Sequence, residues 1–479
     1  MKQFWQRLKR WLRRAPGARF AIAWHAASAL TGFVAAALLV LLEPFDLDRG
    51  ISERGRAAFY KIASFAYPER HSPKTVVVQL DEAFLDSEQQ AWPPPASVHA
   101  AALEQINSHG PAAIFIDFVF IDERADPTLP QLIATLDHIA DSTRVYIAAA
   151  PSTASNEAVL AQIAELAERR DNIELVSVLR PTLPGGEHNY SMRVDIDGRT
   201  PAAVAMYADM CPMRGACAMS AKSPDMDIWW AVRRRNAFNC RDPAYAEMCE
   251  RLPGGPVART FSLLTGVFGF LPARALPIDP VRMPYAPTVS LMEVFSGASH
   301  EQMRELIDGA AVFYGGNLAF VGDVEVSPVH GRLAGVHAHA MAYDNLHALG
   351  GRYVEARAPF GWGFKSHIVA LCGVLALLSF MVRAYMSVRR PKRRLQPHLQ
   401  SKYFGALDAL AFFLGAIAIA LIEFNVGRIG PWAWAPVLAA AAAGDLLSFR
   451  PMTAPLAVAM LGRWRLASAA RRRKPRSRR

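Results

Sequence analysis

The chain has 479 residues, 52% of them hydrophobic and 20% charged, with a formal net charge of +11. That size and apolar content leave room for more than one folded unit or for a membrane part. The positive excess is confined to three short flanks, a placement that reads as membrane topology and not as a nucleic-acid surface.

Residues 1–19 carry seven Lys or Arg and no acid. Residues 20–42, FAIAWHAASALTGFVAAALLVLL, then form an apolar run long enough to cross a hydrocarbon core of about 30 Å. A cleaved signal peptide has a shorter apolar stretch, about 7–15 residues, ending at a small-residue site. Here Glu43-Pro44 follows directly, so the run is expected to be a retained anchor. Runs of the same character occupy 366–386, 404–424 and 430–449. The flanks 383–402 and 450–479 hold seven and ten basic residues without an acid, whereas 45–363 holds 27 basic and 38 acidic ones. Basic flanks stay on the cytoplasmic side. Four spans therefore put both termini and the 383–402 loop inside a bacterial inner membrane, with 45–363 in the periplasm. The tail RRRKPRSRR meets anionic lipid in this reading, and no nucleic-acid partner is expected.

Within 45–363 the pattern alternates. TVVVQL (75–80) is a β-branched run ending at Asp81-Glu82. Beyond Trp92 and its three prolines, residues 96–108 are expected to be a helix, with Ser97 as N-cap and Val98, Ala102 and Ile106 on one face. Gly110-Pro111 stops it, and AAIFIDFVF (112–120) reads as a buried strand with Asp117 inside it. Helices at 128–139 and 155–169 alternate with strands RVYIAAA (144–150) and NIELVSV (172–178). A later strand, AAVFYGG (310–316), precedes a glycine-rich turn. Apolar strands separated by helices give an α/β fold with a mostly parallel sheet covered on both faces. Ligands of such sheets bind beyond the carboxyl ends of the strands. Asp81, Asp117 and the GGNLAFVGD stretch (315–323) with Asp323 are therefore expected neighbours and ligand-binding candidates. Asp117 has two readings: a ligand-contacting carboxylate, or a structural acid that caps loop amides.

Cys211, Cys217, Cys240 and Cys249 lie in the outer segment and Cys372 in the second apolar run. Four cysteines allow three pairings, and an oxidising compartment favours two disulfides. Their spacings, C-x5-C and C-x8-C, do not match the tight knuckle of structural zinc. GVHAHAMAYDNL (335–346) gathers His337, His339 and Asp344, with Asp323 and His330 upstream. Histidines two apart share a strand face but diverge by about 200° on a helix. Gly335 before the motif and Asn345-Leu346 after it suggest a strand-to-helix transition. Packing or hydrogen bonding is then the expected role of the two ligand-binding candidates His337 and His339, and no metal or cofactor is assigned. No H-E-x-x-H, G-x-S-x-G or Walker pattern occurs, so nothing points to catalysis. Asp408 and Asp445 fall near the inner ends of the third and fourth runs. They read either as a polar coupling point or as interfacial acids beside Lys402 and Arg450.

VVVQLDEAFL, then WPPPASVHAAALEQINSHGPAAIFIDFVFIDE, PTVSLMEVFSG (287–297), AVFYGGNLAFVGDVEVSP (311–328) and LAGVHAHAMAYDNLHALGGRY (333–353) form a set. Together they resemble the second class of CHASE domains, extracellular sensory modules associated with cyclases and histidine kinases. The similarity covers roughly 45–353 plus the spans, one anchor before the domain and three after it. It implies a sensor for an unknown small molecule or peptide, with a homodimer one arrangement open to it. Two features depart from the pattern: Ala96 stands where a basic residue is usual, and a cysteine-bearing insert occupies about 205–255. Family members commonly continue into a kinase or cyclase, and residues 450–479 show no such module, so a separate signalling or membrane partner is expected to carry the output. An assembly scaffold is the alternative reading, and a periplasmic metal-dependent enzyme a further one.

Overall fold

The computed structural model describes residues 74–120, 126–149, 161–178, 189–211, 223–231, 285–296, 300–318 and 323–356. Cys217, Met219, Phe320 and scattered residues between 23 and 68 and between 369 and 415 are also described. The chain divides into two units: residues 57–357 with 428–430, and residues 1–56, 358–427 and 431–479.

The first unit is an α/β domain built on six parallel strands: β1 (Thr75–Asp81), β2 (Ala113–Asp117), β3 (Arg144–Ala149), β4 (Ile173–Ser177), β5 (Thr288–Ser290) and β6 (Ala311–Asn317), in the order β4-β3-β2-β6-β1-β5. The late strand β6 is inserted between β1 and β2, so the sheet's direction of growth reverses around it. Both faces are covered, which is why the strands read as continuous apolar runs. Val76, Val78 and Leu80 of β1 point to one face. There they join Ile114, Ile116, Val312 and Tyr314 in a core closed by α1 (Glu82–Ser87), α2 (Ala96–Asn107), α3 (Leu129–Ile139), α4 (Ala161–Arg169), α6 (Leu291–Ser296) and α7 (His300–Ile307). Each such aliphatic side chain, fully withdrawn from water, contributes about 1.5–3 kcal/mol. The alternate residues meet α5 (Ala202–Met210) and α8 (Val336–Leu349), which pack on the other face. A short antiparallel hairpin, β7 (Val324–Ser327) and β8 (Gly331–Ala334), leads into α8.

Two local expectations change. The strand through Asp117 ends at that residue, and Phe118, Val119 and Phe120 leave the sheet. Helix α2 starts at Ala96 with Pro95 at its N-cap, and Ser97 lies inside it. Its first free amides are satisfied from a distant loop: Ala96 N–H donates to Asp126 Oδ2 (2.6 Å) and Ser97 N–H to Thr128 Oγ1 (3.0 Å). A proline at the cap offers no side-chain acceptor, so the acceptor is borrowed.

Of the 205–255 stretch, two described parts are built into this unit. Helix α5 packs against α8, and residues 223–231 bring Ile228, Trp229 and Trp230 into the interior. Cys211, just past α5, is bonded to Cys217; Cys240 and Cys249 lie outside the described residues.

Among the described residues no helix is long and apolar enough to cross a membrane. About half of each of the runs 20–42 and 366–386, and nearly all of 404–424 and 430–449, lie outside the described residues, as do Asp408 and Asp445. Within the second unit, a Cβ on Gly373 would meet the Phe33 ring at 3.3 Å, so described pieces of the first and second runs lie side by side.

Candidate functional site

The strand register brings the carboxyl ends of three strands together. Asp81 of β1 is paired with Asn317 of β6, and Asp117 of β2 with Gly315. Two of the expected neighbours therefore flank the glycine-rich end of β6, at the place where sheets of this kind hold ligands. Their side chains have different duties. Asp81 Oδ1 accepts from Phe84 N–H (2.9 Å) and caps α1. Asp117, nearly buried, faces His339, with its Oδ1 at 3.8 Å from Nε2. Gly315 is required here because a Cβ would stand 2.7 Å from Val336 Cβ and 3.2 Å from Asp117 Cβ. Asp323 sits at the base of the hairpin. Its carbonyl accepts from Gly335 N–H (3.0 Å), and its carboxylate fills the space a Cβ on Gly335 would need.

His337 and His339 lie in the first turn of α8, and both are buried. Being helical, they diverge as two-apart residues must. His337 turns to β1, where Gln79 Nε2 donates to its Nε2 (2.9 Å) while Gln79 Oε1 accepts from Asn317 Nδ2 (3.1 Å). Accepting at Nε2 leaves the imidazole proton on Nδ1. Burial, with a smaller push from His330, holds this imidazole down at a pKa of about 3, so the ring is neutral. His339 turns to β2. Its Nδ1 shares a 2.9 Å hydrogen bond with Tyr190 Oη, which also accepts from Ala203 N–H in α5 (2.9 Å). The two histidines thus tie one helix end to different strands and do not converge on a shared ligand. His330 is elsewhere again, its Nε2 at 2.9 Å from the Ala231 carbonyl. Among the described residues no group of three His, Cys, Asp or Glu side chains could hold a metal ion.

Two turns further along α8, Asp344 accepts from Tyr67 Oη at 2.6 Å. Burial, then the neighbouring carboxylate, pushes the Tyr67 phenol well above its ordinary pKa, so it stays a donor. The next residue, Asn345, accepts from Trp229 N–H (2.9 Å) and donates to the Trp229 and Met341 carbonyls (3.2 and 2.8 Å). Tyr67 also packs edge-on against Trp229 and Tyr285. One helix therefore touches the carboxyl edge of the sheet at its start and the segment preceding β1 at its middle.

A profile of the CHASE2 domain matches residues 26–380, about three quarters of the chain. The chain belongs to the CHASE2 domain family. No curated protein and no solved structure matches it. The match takes in 45–353 and parts of the first and second apolar runs, as the resemblance did, and ends before the third and fourth runs.

Within this CHASE2 domain, several site residues escaped the sequence reading. Gln79 breaks the apolar run that follows Thr75 in TVVVQL, and that anomaly marks it as a residue with a partner. Tyr67, Tyr190 and Asn345 carry no such signal, because the bonds Tyr67–Asp344, Tyr190–His339 and Asn345–Tyr67 join residues 149 to 278 positions apart. His99 in α2, beneath Tyr314 Oη at 3.1 Å, is visible only once β6 is placed beside β2.

Proposed function

We propose that the protein is a membrane-anchored receptor whose CHASE2 domain binds an extracytoplasmic small molecule or peptide at the carboxyl edge of its sheet. Helix α8 conveys the bound state to the anchor, and a separate signalling partner reads it. The observation that carries this reading is the double engagement of α8: His337 and His339 meet β1 and β2 near that edge, and Asp344 meets Tyr67. A helix rises about 1.5 Å per residue, so the two engagements are roughly 10 Å apart on one rigid element. A ligand that binds one position of α8 better than another shifts the population accordingly. The four apolar runs, with basic flanks on the cytoplasmic side, supply the anchor and place the 45–363 segment in the periplasm. The contact of Gly373 with Phe33 supports pairing of the first two spans.

The test has two arms on the full chain. Labelling from either side of sealed vesicles is expected to reach the 45–363 segment from one side and the 383–402 loop only from the other. A thermal-shift screen of small molecules and peptides is expected to yield a ligand whose effect is lost when the carboxyl edge is altered, as in Asn317→Ala. Labelling of both segments from one side, or a screen in which nothing moves the midpoint, would tell against the reading.

A further inference from the structure

The carboxyl edge carries more aromatic surface than a covered sheet needs. Phe118, leaving β2, lies over Gly316, where a Cβ would stand 3.5 Å from its ring. Trp92 is tilted against Phe118 with centroids 6.3 Å apart, and edge-on to Phe320 at 6.4 Å. Beneath them His99 is tilted against Phe118 (4.7 Å), meets Phe120 edge-on (5.5 Å) and reaches Tyr314. The upper rings are not packed away: Trp92, Phe118 and Phe120 are half-buried and Phe320 is 61% exposed. A cluster of rings held partly open at the ligand end of a parallel sheet is an apolar seat.

Among the described residues its electrostatic setting is one-sided. The turns at this edge bring Asp81, Glu82 and Asp126, with Asp117 across the sheet on the α8 side, while Lys74 and Arg144 stand at the opposite edge, at the starts of β1 and β3. The 45–363 segment as a whole is acidic, with 38 acids against 27 bases. The floor adds no competing charge. Burial holds the His99 imidazole down to about 4 despite the opposing pull of Asp126, so it is a neutral ring at physiological pH. Ring faces attract cations, and an acidic surround raises the local concentration of cationic ligands.

We infer that the Trp92–Phe118–Phe320 cluster is a binding seat for a compact organic cation with an apolar body, of the quaternary or alkylated ammonium class. The inference rests on the receptor reading above and names the ligand chemistry of that edge. The cation lies against the rings, and its charge is compensated by the edge carboxylates at longer range.

The experiment titrates the purified full chain with tetramethylammonium, choline and benzyltrimethylammonium chlorides by calorimetry. Benzoate and benzyl alcohol at matched ionic strength serve as anionic and neutral comparisons. Saturable binding of the ammonium probes is expected, weakened about tenfold in Trp92→Ala and in Phe320→Ala and less in Trp92→Phe. Phe320 is largely exposed, so its truncation keeps the test valid if Trp92→Ala fails to fold. Binding of benzoate or benzyl alcohol in preference to the cations, lost in Phe320→Ala, would overturn the cation class and leave the edge standing as a ligand site. Absence of saturable binding by every probe, or binding indifferent to both truncations, would overturn the seat itself.

Discussion

Tyr67 and Asp344, 277 positions apart, are joined by a 2.6 Å hydrogen bond inside the domain. Asp344 is 1% exposed, and buried carboxylates persist only where donors meet them. This bond fastens the chain that leads into the sheet to the helix that leads out of it. Tyr67→Phe removes the donor and is expected to lower stability by about 2 kcal/mol. Asn345→Ala breaks the Trp229 and Met341 bonds at once and is expected to cost about 3 kcal/mol. Denaturant midpoints of the full chain check both.

Acid should weaken the fold well before the carboxylates titrate. An unfolded imidazole, with a pKa of 6.5, binds a proton that folded His337 (about 3) and His99 (about 4) refuse. The unfolded state therefore holds more protons below 6.5, so this contribution is complete above that pH and is lost as pH falls toward the folded values. The slope approaches about 1.4 kcal/mol per pH unit for each group. Unfolding midpoints taken between pH 7 and pH 5 are expected to fall steadily, and His337→Gln is expected to fall less steeply.

Gly335 and Asp323 form a second coupled pair. Gly335 has ordinary helical angles (φ −56°, ψ −33°), so alanine meets no backbone penalty there, only the Asp323 carboxylate. Gly335→Ala is expected to destabilise by about 1–3 kcal/mol alone. In an Asp323→Ala background it is expected to be neutral or mildly stabilising, since the unfolded chain then loses glycine's freedom. A double-mutant cycle reads the difference.

The Cys211–Cys217 bond closes a short loop at the end of α5. Cys211→Ser is expected to cost about 2 kcal/mol, the value for a loop of this length. Non-reducing peptide maps are expected to show this pair, and to join Cys240 to Cys249 as the second bridge.

Much of the sheet is legible in the residues because a parallel sheet buried on both faces needs uninterrupted apolar strands. TVVVQL, AAIFID and AVFYGG could hardly do anything else. The same rule misleads at Phe118-Val119-Phe120: an apolar run does not say where a strand stops, and these residues line the edge instead of extending β2. The cap of α2 is illegible because its acceptor lies 30 residues away in Asp126. The insertion of β6 between β1 and β2 leaves no periodic trace, and with it go the Gln79–Asn317 and His99–Tyr314 contacts. The divergence of His337 and His339 was readable, since Gly335 marks the start of a helix.

The central claim is that α8 links the carboxyl edge to the segment around Tyr67. Hydrogen–deuterium exchange of the full chain, wild type against Gln79→Leu, tests it most directly, because the substitution cuts the His337 bond far from Tyr67. The account predicts faster exchange through α8 and on into the residues around Tyr67, transmitted by the Asp344 bond. Faster exchange confined to β1 and β6, with α8 beyond its first turn and the Tyr67 segment unchanged, would contradict it.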